Sequence, residues 1–345
     1  MILGKSSGIT VTRNLKDSHS ANNMWLIQGA SGCGKSTLCK NIIRSAAGDK
    51  ISAVAIDYSG SFRKKDMPYV NKDNYHIIEI DGLGINLFKP RNIQIEDRIM
   101  AETCEIQTGR IYELLCSTLE IKGSSQCAEL YAAIEAEISE GCPDLPGILG
   151  RINSRKTSSA KSLMLKTNFL NGINLTEPWI DWADIISSEK PVVFQFSDTV
   201  EPKKSFLIEL LLNDLWYFVQ QSQNTQSFLL ILDEIQNMRF GGNCFLSHLR
   251  EFRKFGIGAI MATQFSGVRF KKNDMDELLS QAATKVYFRP DNKGIISAAK
   301  SIDEYHYTEW LNILRTLRVG ECVYSGITDI STVPQSFVLN IPLEL

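Results

Sequence analysis

The sequence has 345 residues, 37 Lys and Arg against 39 Asp and Glu, a formal net charge of −2 and 43% hydrophobic residues. These globular values exclude disordered and collagen-like chains, and the length predicts roughly two units of about 150 residues. The neutral balance excludes a uniformly basic, histone-like binder but leaves local basic patches open.

In chain order, a first apolar strand is predicted at Met24–Gln28, then a glycine-rich loop and a helix from Lys35 to Ala46. Further strands are predicted at Ser52–Asp57, His76–Ile80, Pro191–Phe196, Ser227–Leu232, Gly258–Ala262, Thr284–Phe288 and Glu321–Tyr324. Continuous apolar runs such as Phe228–Leu232 suit strands buried on both faces of a mostly parallel sheet. Their alternation with helical patterns argues for an α/β fold, the sheet flanked by helices. Between Pro90 and Ile186 no strand is expected. There, Ile99, Met100, Thr103, Ile106, Ile111, Leu114, Leu115 and Leu119 read as one long amphipathic helix. Ser125 reads as the cap of a second helix ended by Gly141, Pro143 and Pro146 as a turn, and Leu163–Leu170 as a further helix. The expected organisation is a core over residues 1–89 and 189–345, interrupted by an inserted helical subdomain over 90–188.

Gly29-Ala30-Ser31-Gly32-Cys33-Gly34-Lys35-Ser36-Thr37 matches the phosphate-loop pattern at every fixed position, between a strand and a helix. Glycines let successive N–H groups point at phosphate oxygens, Lys35 reaches the β- and γ-phosphates, and the Ser36 hydroxyl can ligate Mg²⁺. ATP and Mg²⁺ are therefore the expected cofactors. The strand at Ser227–Leu232 delivers Asp233 and Glu234 to the crevice where α/β sheets bind ligands. Asp233 is expected in the metal shell, and Glu234 as the general base that polarises water. A helix over Phe245–Phe255 and the next strand lead to Gln264, placed to contact the γ-phosphate and the attacking water.

These residues resemble the HerA/FtsK superfamily of P-loop motor ATPases, above all its HerA-like branch. The segment from Leu249 to Gly258, running into Met261-Ala262-Thr263-Gln264, is similar to that family's Arg-Lys-aromatic-Gly and Ala-Thr-Gln motifs. Ile231-Leu232-Asp233-Glu234 resembles its second nucleotide motif, and Gly84-Ile85-Asn86-Leu87-Phe88 its Gly-x-Asn-Pro segment, with Leu87 in place of Pro. Ala283–Arg289 and Val319–Cys322 fall where the family has similar strands. A second departure is Asp57-Tyr58-Ser59-Gly60-Ser61-Phe62, where Ser61 replaces the family's acid.

The resemblance implies a RecA-like (ASCE) P-loop NTPase and a hexameric homo-oligomeric ring, with nucleotide at subunit interfaces completed by an arginine from the neighbour. Arg253 matches the family segment best; Arg250 and Arg289 are alternatives. It implies an ATPase that translocates on double-stranded DNA, helicase-like. About twenty residues precede the first core strand, so the flanking barrel or membrane anchor of larger members is expected to be missing. A motor without them is expected to serve a separate effector, a nuclease or other nucleic-acid enzyme, in DNA processing or defence against foreign DNA. Two other readings stay open: a conjugation- or secretion-type ATPase of the same superfamily, and a nucleotide-controlled assembly scaffold.

Basic residues cluster at Arg63-Lys64-Lys65, between Arg151 and Lys166, and at Arg269-Phe270-Lys271-Lys272. Arg269, Lys271 and Lys272, just beyond Gln264, are the best-placed DNA contacts, since salt-sensitive phosphate contacts suit a translocating ring. The eight cysteines form no C-x-x-C pair and the four histidines are isolated, so zinc spacing is absent and reduced, mostly buried thiols are expected. No segment reads as a membrane span or secretory signal, which makes a cytoplasmic location the expectation.

Overall fold

The computed structural model describes residues 1–14, 22–67, 75–79, 86–95, 98–173, 175, 180–196, 199–221, 227–238, 248, 251–264, 278–292 and 294–342. The strands are β1 (Ile2–Ser6), β2 (Ile9–Thr12), β3 (Met24–Gln28), β4 (Ala53–Asp57), β5 (His76–Glu79), β6 (Asn92–Ile95), β7 (Arg98–Ala101), β8 (Pro191–Gln195), β9 (Leu229–Leu232), β10 (Gly258–Thr263), β11 (Thr284–Phe288), β12 (Glu321–Gly326) and β13 (Gln335–Asn340). The helices are α1 (Lys35–Gly48), α2 (Cys104–Thr118), α3 (Ser124–Ser139), α4 (Leu145–Ser154), α5 (Ser158–Thr167), α6 (Trp182–Ser187), α7 (Lys203–Gln221), α8 (Ile295–Ile302) and α9 (Tyr307–Thr316).

Among the described residues, eleven strands form one sheet in the order β2-β1-β13-β12-β11-β3-β10-β9-β4-β8-β5. From β11 to β5 all neighbours run parallel, while β12, β13, β1 and β2 continue the sheet antiparallel. The period-2 alternation of a strand explains how apolar runs serve both faces. Met24 and Leu26 of β3, Val54 and Ile56 of β4, and Leu230 and Leu232 of β9 enter the core beneath α7 and the helices α2–α6. Trp25 and Ile27, Ala53 and Ala55, and Leu229 and Ile231 enter the opposite core, where α1 contributes Leu38, Cys39, Ile42 and Ile43. Burying one such aliphatic side chain stabilises the fold by about 1.5–3 kcal/mol, so each strand is pinned from two sides.

The expected core strands form, with ends shifted by a residue or two. In the large sheet three strands were not anticipated: β1, β2 and β13 form the antiparallel flank, where β1 and β2 mix apolar residues with Gly4, Lys5, Thr10 and Thr12, and β13 opens on Gln335 and Ser336 before Phe337-Val338-Leu339. The stretch after Pro90 also differs from expectation. Arg98–Ala101 pairs antiparallel with Asn92–Ile95, so Ile99 and Met100 belong to a two-stranded ribbon and not to the long helix. The helix starts only at Cys104, where the Thr103 hydroxyl accepts the Ile106 N–H at 3.3 Å. Ser125 lies inside α3, which begins after Gly123. Pro146 sits in the first turn of α4, where a missing N–H costs nothing, and Asp144 caps that helix through the Gly147 N–H at 2.6 Å. Of the predicted helix over Phe245–Phe255, residues 245–247, 249 and 250 lie outside the described residues; His248, Glu251 and Phe252 are helical, and Arg253–Phe255 forms a 3₁₀ turn. No described helix is long and apolar enough to cross a membrane.

A buried polar knot ties the ribbon and α2 to α7. Glu102 accepts Arg110 Nε at 2.7 Å and Nη2 at 2.9 Å, the Arg91 N–H at 3.0 Å and the Tyr217 hydroxyl at 2.9 Å. Burial pushes its carboxyl up, but these donors hold it below the usual range. Arg91 lies over the Tyr217 ring and pairs with Asp214, which also accepts Trp182 Nε1 at 2.7 Å from α6. Replacing Glu102 by Ala should strand the Arg110 guanidinium and cost about 3–5 kcal/mol, read as a fall in denaturant midpoint. A midpoint within error of wild type would show that the knot is not holding these elements.

Candidate functional site

Parallel register brings four strand ends to one edge, with Gln28 and Thr263 two residues beyond the level of Leu232 and Ile56. Gln28 of β3 pairs with Thr263 of β10, Met261 of β10 with Leu232 of β9, and Leu232 with Ile56 of β4. The residues that follow, Gly29, Gln264, Asp233 and Asp57, therefore emerge side by side at the carboxyl edge of the sheet.

The phosphate loop is shaped by backbone. Gly32 and Gly34 have φ of +75° and +122°, values an L side chain rarely adopts. A Cβ on Gly29 would lie 2.6 Å from Cβ of Phe288 at the end of β11, so the loop presses on that strand. Two hydrogen bonds fasten it: the Ala30 N–H donates to the Arg289 carbonyl and the Gly320 N–H to the Cys33 carbonyl, both at 3.0 Å. Lys35, only 4% exposed, donates from Nζ to the Gly29 and Ala30 carbonyls, each at 3.0 Å. Ser36 and Thr37 occupy the first turn of α1, half-buried. Burial pushes the Cys33 thiol up, and it donates to the Ala30 carbonyl, so it packs as a neutral group.

Asp233 is fully buried and its amide is bonded to the Ile56 carbonyl at 3.2 Å. Oδ2 accepts the Ser59 hydroxyl at 3.1 Å, while Oδ1 has no hydrogen-bond partner. Glu234 adopts the left-handed region, φ 56° and ψ 45°, which turns the chain sharply after β9. Its Oε2 accepts Gln264 Nε2 at 3.1 Å and also the Gln236 side-chain amide. Gln236 Oε1 in turn accepts the Gln264 N–H at 3.1 Å, so one side chain links Glu234 to the end of β10.

The structure thus brings Lys35, Asp233, Glu234 and Gln264 together. Arg253 lies in the 3₁₀ turn before β10, and Arg289 is exposed at the end of β11. Arg250, Arg269, Lys271 and Lys272 lie outside the described residues, as do Gly84 and Ile85. Asn86 accepts the Phe88 N–H at 3.1 Å, closing a local turn. In the basic stretch between Arg151 and Lys166 both arginines are matched by acids: Arg151 pairs with Glu137 and Glu140, and Arg155 with Glu129. Sequence reasoning missed Gln236, Ser59 and Asp57. For Asp57 and Ser59 a signal existed, the family-like segment Asp57–Phe62, but it assigned neither a task; for Gln236 there was none.

The site's residues fit a divalent cation. Among the described residues no cluster of three or more His, Cys, Asp or Glu side chains is arranged to hold a metal ion. The orphaned Asp233 Oδ1 and the Ser36 hydroxyl are hard oxygen donors of the kind Mg²⁺ takes beside substrate phosphates.

A sequence profile described as "Helicase HerA, central domain" matches residues 17–215. No match is found among curated proteins. Of solved structures, VirB4 of Thermoanaerobacter pseudethanolicus superposes with a TM-score of 0.74 at 15% identity, covering 99% of this chain and 96% of that one. The bacterial conjugative coupling protein TrwBdeltaN70 gives 0.68 at 11% identity, over 100% and 89%. Plasmid coupling protein TrwB in complex with ADP and Mg²⁺ gives 0.61 at 11% identity, over 99% and 97%. At such identities the likeness is one of fold, and it is the RecA-like P-loop fold with a mostly parallel sheet expected from the sequence.

Burial, then Glu234, then Asp57 push the Asp233 carboxyl up to about 7. Because this lies above its unfolded value of 3.8, the bound proton stabilises the fold below about pH 4, and that contribution is lost as pH rises through 7. Metal-free protein should therefore be less stable at about pH 8 than at about pH 6, by an amount on the order of 1 kcal/mol. Asp233→Asn should flatten that part of the profile in EDTA; an unchanged slope would assign the titration elsewhere.

Proposed function

Because the chain belongs to the family of the HerA helicase central domain, within the HerA/FtsK superfamily of P-loop ATPases, we propose that it hydrolyses ATP to move along double-stranded DNA as a ring. One observation carries the enzymatic half of this reading. Glu234 and Gln264 share a hydrogen bond at the sheet edge that also holds Lys35 and the unpaired oxygen of Asp233. A protein that only binds nucleotide has no use for a carboxylate tied to an amide at that place.

The contacts and the family resemblance support the following roles. Lys35 exchanges the Gly29 and Ala30 carbonyls for β- and γ-phosphate oxygens, and the loop N–H groups of Gly29–Thr37 cradle the phosphates. Ser36 and Asp233 would hold a divalent cation, which when bound would neutralise charge on the phosphates. Glu234 takes the proton of the attacking water, and it becomes a better base once Gln264 leaves it for the γ-phosphate. A change at Gln264 reaches Glu234 a second way, through Gln236. An arginine from the neighbouring subunit, Arg253, completes the site by balancing charge in the transition state.

The DNA-moving half rests on family membership and on the position of Arg269, Lys271 and Lys272 directly after the γ-phosphate sensor. A partner effector, nuclease or other, in DNA processing or defence gives such a motor its biological outcome. A second reading, a conjugation-type ATPase, is favoured by one finding: solved chains of this fold include a bacterial conjugative coupling protein.

The deciding experiment compares the Mg²⁺-dependent ATPase rate with and without linear duplex DNA, alongside the solution mass with and without ATP. DNA stimulation of a hexamer is the expected result; hydrolysis indifferent to DNA overturns the motor reading. Arg253→Ala should lower turnover roughly a thousandfold while sparing ATP binding. Turnover near the wild-type rate would remove it from the site. Neutralising Arg269, Lys271 and Lys272 together should abolish DNA stimulation and flatten its salt dependence, leaving DNA-independent turnover in place.

A further inference from the structure

The turn that follows β4 is built around one carboxylate. Asp57 Oδ1 accepts the N–H groups of Gly60 at 2.9 Å and Ser61 at 2.8 Å, and Oδ2 accepts the Phe62 N–H at 2.8 Å and Gln195 Nε2 at 3.0 Å. Phe62 is fully buried and plugs the far end of the turn into the core beside α1. Residues 58–61 are therefore held rigidly, although Ser59 itself is exposed.

This frame carries two hydroxyls to Asp233. Ser59 Oγ donates to Asp233 Oδ2 at 3.1 Å and lies 2.6 Å from Ser61 Oγ. Ser59 has a single proton, and Asp233 takes it. Ser61 must then be the donor in the second contact, and its donation strengthens the first. Asp233 Oδ1 meanwhile has no partner. A carboxylate tied at one oxygen can no longer rotate freely and offers the other in a fixed direction.

We infer that Ser59 is the positioning residue for the divalent cation, fixing the Asp233 carboxylate through Oδ2 so that Oδ1 is left for the metal, with Ser61 holding Ser59 in its donor rotamer. Outer-shell donors of this kind orient a metal's ligands and set its affinity. The inference rests on the reading of this edge as a nucleotide–metal site, and it gives Ser61 a task that needs a hydroxyl rather than an acid. Both serines lie outside the packed core, so alanine at either position opens no cavity.

The test is Mn²⁺ titration by electron paramagnetic resonance, with protein saturated by a non-hydrolysable ATP analogue. Nucleotide affinity is measured separately in EDTA. Ser59→Ala should weaken Mn²⁺ binding by roughly tenfold or more, and Ser59→Thr should restore it. Ser61→Ala, which removes only the relay, should weaken it by roughly two- to fivefold. Affinity for the analogue in EDTA should be unchanged throughout. Wild-type Mn²⁺ affinity in Ser59→Ala overturns the inference alone, as does an equal loss of analogue binding in EDTA, which would mark a merely structural turn. Wild-type protein that binds neither analogue nor Mn²⁺ overturns the nucleotide reading as well.

Discussion

Three carboxylates crowd one corner of a water-poor sheet edge, and the chemistry of the site depends on how unequally they are compensated. Asp57 is met by four N–H donors, Glu234 by two side-chain amides, and Asp233 by a single hydroxyl. Like charges at such separation repel strongly in a low-dielectric setting, so the least-compensated one carries the unfavourable energy. That residue is Asp233, the one with an oxygen to spare. A cation relieves the repulsion directly. The same corner holds Glu234 in place by two side-chain amides, from Gln236 and Gln264.

The corner exists because parallel strands end in register, and that much could be read from the sequence. Apolar runs at Phe228–Leu232 and Met24–Leu26, each closed by a polar residue or glycine turn, announce a buried parallel sheet with chemistry at its carboxyl edge. The phosphate loop, Asp233, Glu234 and Gln264 were legible for the same reason, since each sits directly after such a run. What the sequence concealed is of two kinds. The flanking strands β1 and β2 interleave polar and apolar residues, because an antiparallel margin needs no continuous apolar run, and β13 offers only the three-residue run Phe337–Leu339. The ribbon β6–β7 was hidden because Ile99 and Met100 happen to continue the helical spacing of α2, and periodicity alone cannot separate the two over so few residues. The contacts of Gln236 and Ser59 were hidden for a different reason: their partners are distant in sequence or set by a turn geometry that no local pattern encodes.

Helix α7 connects the site to the helices that interrupt the sheet. At its start Lys204 lies over the Tyr58 ring and donates to the Tyr58 carbonyl at 3.3 Å, while Tyr58 itself bonds Glu201 just ahead of the helix. Further along, Asp214 and Tyr217 enter the knot with Arg91, Glu102, Arg110 and Trp182. One rigid rod thus touches both the turn that carries Ser59 and the packing of the inserted helices. Ions buried in such a knot contribute little net stability, yet they fix one arrangement against alternatives.

The two backbone pegs that fasten the phosphate loop bear on the thermodynamics of filling it. The Ala30 and Gly320 amides anchor the loop to the end of β11 and the start of β12, and Lys35 is already drawn inward onto the loop's own carbonyls. A loop held this way surrenders little conformational entropy when a ligand arrives, so binding is dominated by the exchange of one set of polar contacts for another. Occupancy then does little to reorganise the cradle itself. Any large rearrangement on turnover must come from the far side of the phosphates, where Glu234 and Gln264 hold each other through side chains that are free to let go.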